Sequence, residues 1–169
     1  MLVCAGLLAL AAPGRPGWTV AAVAWWSLLA LVAAFVDGAV HRLPNTLTYP
    51  AAAGTTLLLT LAAAVGGEWD RLGRALGIGV GVAVLFLLVT LAAGGRHLGM
   101  GDAKFAVSTF MIIGWLGWPH ILLGLLAAFG LQLLWGVGLM VAGRADRHRG
   151  IPLGPFLFIA AVGLWLLYG

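Results

Sequence analysis

Charge is what this sequence has least of. Of 169 residues, five are acidic and nine are Lys or Arg; charged side chains make up 8% and hydrophobic ones 63%. A soluble domain of this length needs far more polar side chains to meet water. Mean hydropathy is +1.10, so residues 1–169 are expected to form one integral membrane domain in contact with a lipid bilayer. The net charge of +4 then bears on membrane orientation and does not point to a nucleic-acid partner.

Cysteine is nearly missing as well. Cys4 stands alone, which excludes an intrachain disulfide and a multi-cysteine metal centre. It reads as a small apolar helix residue. His41, His97, His120 and His148 fall on different loops without ligand spacing and read as interfacial residues. No metal and no cofactor is expected.

What is present is a series of apolar runs. Gly, Pro and charge clusters divide the chain into about seven segments, near 1–12, 18–40, 46–66, 74–94, 103–117, 120–142 and 152–168. Most are long enough to span a bilayer as helices. The expected fold is an all-α membrane protein, a polytopic bundle of about six to seven transmembrane helices. Residues 1–12 carry no basic side chain ahead of their apolar core, so a retained helix is expected there and not a secretory signal.

The loops alternate sides under this reading. One set carries Arg15, Arg71 and Arg74; the other carries Arg42, Arg96, Lys104, Arg144, Arg147 and Arg149. The richer set is expected to face the cytoplasm, with the C-terminus outside. Trp18, Trp69, Trp118, Trp165 and Tyr168 all fall near the expected outer interface, where amphipathic rings prefer to sit. Gly73, Gly77 and Gly81 recur every four positions, and such spacing predicts a close helix–helix contact through that face.

The five acids are Asp37, Glu68, Asp70, Asp102 and Asp146. Glu68 and Asp70 lie in a loop beside Arg71 and Arg74 and read as solvated charges. Asp146 lies among Arg144, Arg147 and Arg149 and reads as a local counter-charge. Asp37 and Asp102 remain. Each falls at the end of an apolar segment, on the expected cytoplasmic side, 65 positions apart. An acid in or beside a bilayer is costly and marks a candidate functional site. Two neighbouring carboxylates cannot easily both ionise, so a close pair holds one proton between them. One can activate a water while the other protonates a carbonyl or leaving amine. The pair acts as a unit, and neither acid nor base role is assigned singly.

The flanks are consistent with this chemistry. Gly99 and Gly101 permit backbone conformations and close approaches denied to larger residues. Pro44-Asn45 reads as a turn that starts a helix. Lys104 is two residues from Asp102, so the two do not share a helix face; it either snorkels to headgroups or tunes the site. Taken alone, Gly-x-Gly-Asp is equally a turn and helix cap.

Asp37, then Pro44-Asn45, then Gly99-Met100-Gly101-Asp102-Ala103-Lys104, then Ile151-Pro152-Leu153-Gly154-Pro155-Phe156 together resemble the type IV prepilin peptidase family over roughly residues 18–168. The resemblance implies an aspartic endopeptidase of the bacterial cytoplasmic membrane. Such enzymes cut the basic leader from prepilins and pseudopilins on the cytoplasmic side. Asp37 and Asp102 match the catalytic pair; Pro44, Asn45, Gly99, Gly101 and Lys104 would shape the site. Longer members carry an insertion with paired cysteines and also N-methylate the new N-terminus. Here only residues 13–17 separate the first two segments, so peptidase activity without methylation is expected, as in the compact members serving Flp-type pili. The alternative is a non-catalytic transporter or pilus-assembly scaffold in which the two aspartates bind an ion or pair with Arg42 and Lys104.

Overall fold

The apolar runs become six α-helices in the computed structural model, which describes residues 17–40, 44–92, 100–143 and 153–169. They are α1 (Gly17–Val40), α2 (Asn45–Gly66), α3 (Trp69–Ala92), α4 (Met100–Leu116), α5 (Trp118–Val141) and α6 (Gly154–Tyr168). Among the described residues there is no strand. The segment 1–12, Cys4 and the loop residues Arg42, Arg96, Arg144, Asp146, Arg147 and Arg149 lie outside the described residues.

Glycine sets two of the reversals. Gly67 sits at φ +69° after α2, and both its N–H and that of Glu68 donate to the Ala63 carbonyl. That left-handed residue closes the helix end and lets α3 start two residues later. Gly117, at φ +139°, is the sole residue between α4 and α5. Pro119 follows within the first turn of α5, where its missing N–H is harmless.

Four helices, α1, α2, α3 and α5, are long and apolar enough to cross a membrane. At 22 to 24 residues they extend roughly 33–36 Å, against about 30 Å of hydrocarbon. By contrast α4 has 17 residues and α6 has 15, or roughly 25 and 22 Å. Of the two, α4 occupies the interior. α4 packs against all five others, and Phe105, Ala106, Ser108, Thr109, Phe110, Met111, Ile112, Ile113 and Trp115 along it are buried. A helix apolar on every side needs neighbours on every side, and α4 has them. α5 is the opposite case: it packs only on α4 and α6, and most of its large side chains are exposed.

Pairs of residues at the helix ends show that the helices alternate in direction. Arg74 near the start of α3 reaches the end of α4, donating from Nε to the Gly114 carbonyl at 2.8 Å and from Nη2 to the Trp115 carbonyl at 3.2 Å. His120, at the start of α5, meets Tyr168, at the end of α6, with ring centroids 4.7 Å apart. At the opposite end Lys104 bonds Asn45, and Asp37 bonds Gly154.

Two packing expectations need correcting. Gly73, Gly77 and Gly81 face open space, with no atom within 4 Å of a Cβ built on any of them. The close contact between α3 and α4 runs instead through Ala75, Ile78 and Gly79. A Cβ on Gly79 would meet Met111 Cγ at 2.5 Å and the Val107 carbonyl at 3.2 Å; one on Gly114 would meet Ala75 Cα at 3.2 Å. The four-residue spacing was read on the wrong face because apolar residues surround α3. Trp165 is likewise no interfacial ring. It is buried, and its Nε1 donates to the Ile112 carbonyl at 3.0 Å. Trp18, Trp69, Trp118 and Tyr168 are exposed at that end.

Candidate functional site at the shared helix ends

α1 buries a stripe of Ala22, Trp26, Ala30, Ala33 and Asp37. Their spacing of three or four residues keeps them on one helix face. Asp37 therefore continues the core stripe of α1 by one more turn. It is 4% exposed, and a carboxyl group so placed needs polar partners. One partner comes from α6: the Gly154 N–H donates to Asp37 Oδ2 at 3.1 Å across 117 positions of sequence.

The stripe is held by ring contacts. Trp26 stacks on Phe105 of α4 at 6.4 Å and on Phe158 of α6 at 6.0 Å. Offset aromatic packing of this kind adds to the burial of apolar area. It also fixes α1, α4 and α6 against one another about three turns from Asp37.

Pro44 precedes α2 with extended backbone, and its carbonyl accepts from the Leu47 and Thr48 N–H groups at 3.0 and 3.3 Å. This is the helix start expected from Pro44-Asn45. Asn45 is the first residue of α2, and its Oδ1 accepts from Lys104 Nζ at 2.9 Å. The same ammonium lies 5.1 Å from the centroid of the Tyr49 ring, within range of a cation–π attraction. Both of these Lys104 contacts are with α2. Tyr49 was missed from sequence; its place one turn after Asn45 was the available signal.

Asp102 and Gly101 lie in the first turn of α4. The side chain of Asp102, and the whole of Gly99, lie outside what the structure describes. Lys104, two positions along the same turn, ties that turn to the start of α2. The end of α1, the start of α2, the first turn of α4 and the start of α6 therefore gather at one end of the bundle. Pro44, Asn45 and Lys104 sit together there, and Asp37 sits against Gly154.

Scanned against protein-family models, curated protein sequences and solved structures, the chain matches none.

Of the other acids, Glu68 is not merely solvated. Its Oε1 lies 3.0 Å from Arg71 Nη1, and its carbonyl accepts from the Arg71 and Leu72 N–H groups at the start of α3. Asp70 occupies the first turn of α3, where a negative charge complements the helix dipole. Both have local roles at the end of the bundle remote from Asp37. Among the described residues no group of three or more His, Cys, Asp or Glu side chains is placed to hold a metal ion.

Proposed function

We propose that this chain is a membrane-embedded aspartic endopeptidase that removes the basic leader of type IV or Flp-type prepilins and pseudopilins. Asp37 and Asp102 are its catalytic pair. The observation that carries this reading is the burial of Asp37 at the end of the bundle where α4 begins, the helix whose first turn carries Asp102 two residues before Lys104. A buried acid on a core stripe is costly, which marks it as a candidate functional residue.

In this proposal six to seven helices span the bacterial cytoplasmic membrane, and the Asp37 end faces the cytoplasm. A basic leader enters from that side. The two carboxyl groups share a proton; one draws a proton from water, and the other gives one to the leaving amine. Hydrolysis needs no further nucleophile. Gly101, and Gly99 in the same sequence motif, leave a slot at the entrance of α4 for an extended substrate to approach. Pro44, Asn45 and Lys104 hold the Asp102-bearing turn in place. The reaction is peptide-bond cleavage without N-methylation.

The test is co-expression with a prepilin, scored by gel shift, for the wild type and the Asp37→Asn and Asp102→Asn variants. Processing by the wild type alone supports the proposal. No processing of several prepilins by a folded, inserted protein overturns it.

One observation favours a second reading. Asp37 already serves a backbone N–H of α6, which a non-catalytic transporter or scaffold also requires. On that reading Asp37→Asn, which keeps an acceptor oxygen, leaves function intact.

A further inference from the structure

The described hydrogen bonds account for the backbone donors of α6 from Gly154 to Leu157. A helix leaves its first four N–H groups without helical partners. With Leu153 as the N-cap residue, those inside α6 are at Gly154, Pro155 and Phe156. Pro155 has no N–H. Phe156 and Leu157 both donate to the Leu153 carbonyl at 3.1 Å. Gly154 donates to Asp37 Oδ2. Leu153 provides no side-chain cap, so Asp37 supplies that acceptor from another helix.

The approach is too close for a side chain. A Cβ built on Gly154 would stand 2.8 Å from Asp37 Oδ2 and 3.4 Å from its Cβ and Cγ. Asp37 Oδ2 thus occupies the space a side chain at 154 would need, with Cβ and Cγ at contact distance behind it. Gly154 and Leu153 are also buried, so the N–H there is shielded from bulk water. Backbone donors in that setting must find protein partners. Donor and missing side chain act on the same carboxyl group.

We infer that Gly154 is a positioning residue for Asp37: its N–H holds Oδ2, and its lack of a side chain leaves the carboxyl group room to sit against α6. The catalytic meaning of this rests on the peptidase proposal; the Asp37–Gly154 coupling does not. Gly154→Ala pushes the carboxyl group away from its position. A displacement of about 1 Å at a reacting group costs up to about 100-fold in rate. The loss falls on kcat, because Gly154 has no claim on the leader itself.

Two measurements on the full chain in detergent test it. The first is a double-mutant cycle on the unfolding midpoint with Gly154→Ala, Asp37→Ala and the pair. Gly154→Ala lowers the midpoint in the wild-type background and has a smaller effect once Asp37 is Ala, because Oδ2 and Cγ are gone. Equal effects in both backgrounds overturn the inference. The second is prepilin cleavage. Gly154→Ala lowers kcat about 10- to 100-fold with little change in KM, while Gly163→Ala, with no atom within 4 Å of its added Cβ, keeps wild-type turnover. Wild-type kcat in Gly154→Ala overturns the positioning role and leaves the peptidase standing. An inactive wild type with the midpoint coupling intact overturns the peptidase and leaves the positioning of Asp37 by Gly154 standing.

Discussion

Lys104, in the first turn of α4, donates a 2.9 Å hydrogen bond to Asn45, the first residue of α2. The two residues are 59 positions apart, and their bond ties the turn that carries Asp102 to the turn that follows Asp37. Sequence spacing alone left Lys104 between a headgroup contact and a site contact. In the structure its ammonium contacts Asn45 and Tyr49 of α2.

Substituting either aspartate is expected to stop catalysis and spare the fold. Asp37→Asn and Asp102→Asn should each lower prepilin cleavage by about 100-fold or more, the scale of a lost general acid or base. Membrane insertion, checked by fractionation, should be unchanged. Full activity in either variant sinks the proposed pair.

The Lys104–Asn45 bond predicts a milder, coupled effect. Lys104→Met and Asn45→Ala should each slow cleavage about two- to tenfold, matching one hydrogen bond of modest net value. The double variant should be no slower than the worse single one. Additive losses would mean that the two residues act separately.

Arg74 predicts a stability effect at the far end of the bundle. Its guanidinium bonds two carbonyls of the last turn of α4, and cations are favoured at a helix C-terminus. Arg74→Ala should cost about 1.5–3 kcal/mol, as for hydrogen bonds to a charged group. Arg74→Lys should recover little, since an ammonium cannot reproduce the planar fork. Unfolding in detergent reads both; a fully stable Arg74→Ala would refute the cap.

The glycines of α3 separate sharply. Gly79→Leu should destabilise the protein by about 1–3 kcal/mol through overpacking against Met111 and the Val107 carbonyl. Gly77→Leu should be nearly neutral, because its position is open. The reverse order would show that the Gly73-Gly77-Gly81 face is the packed one.

Much of this protein is legible before folding. The helix start at Asn45 and the all-helical class follow from local chemistry: hydrophobic runs that must satisfy their own backbone in lipid, and a Pro-led turn before the helix. The choice of Asp37 and Asp102 as candidates also needs only sequence, because three of the five acids have local counter-charges. Which face of α3 packs was not legible, since an apolar residue can face lipid or protein at no difference in hydropathy. Trp165 misled for the same reason: an indole near a helix end suits either an interface or a core carbonyl.

The sequence by itself determined that the chain is a series of apolar helices long enough to cross a membrane, roughly where they lie (although α3 starts at Trp69, five residues before the expected 74), and which acids need explaining. Those are local properties, set by side-chain hydropathy and backbone freedom within a few residues. Only the tertiary structure decided that Asp37 lies against Gly154, that Lys104 reaches Asn45, and that α4 is the central helix. Such contacts join residues 59 and 117 positions apart. They depend on which helix faces meet, and between apolar faces that is settled by shape: a missing side chain at Gly154 or Gly79 lets a neighbour come close, and no pattern along one strand of sequence records the neighbour.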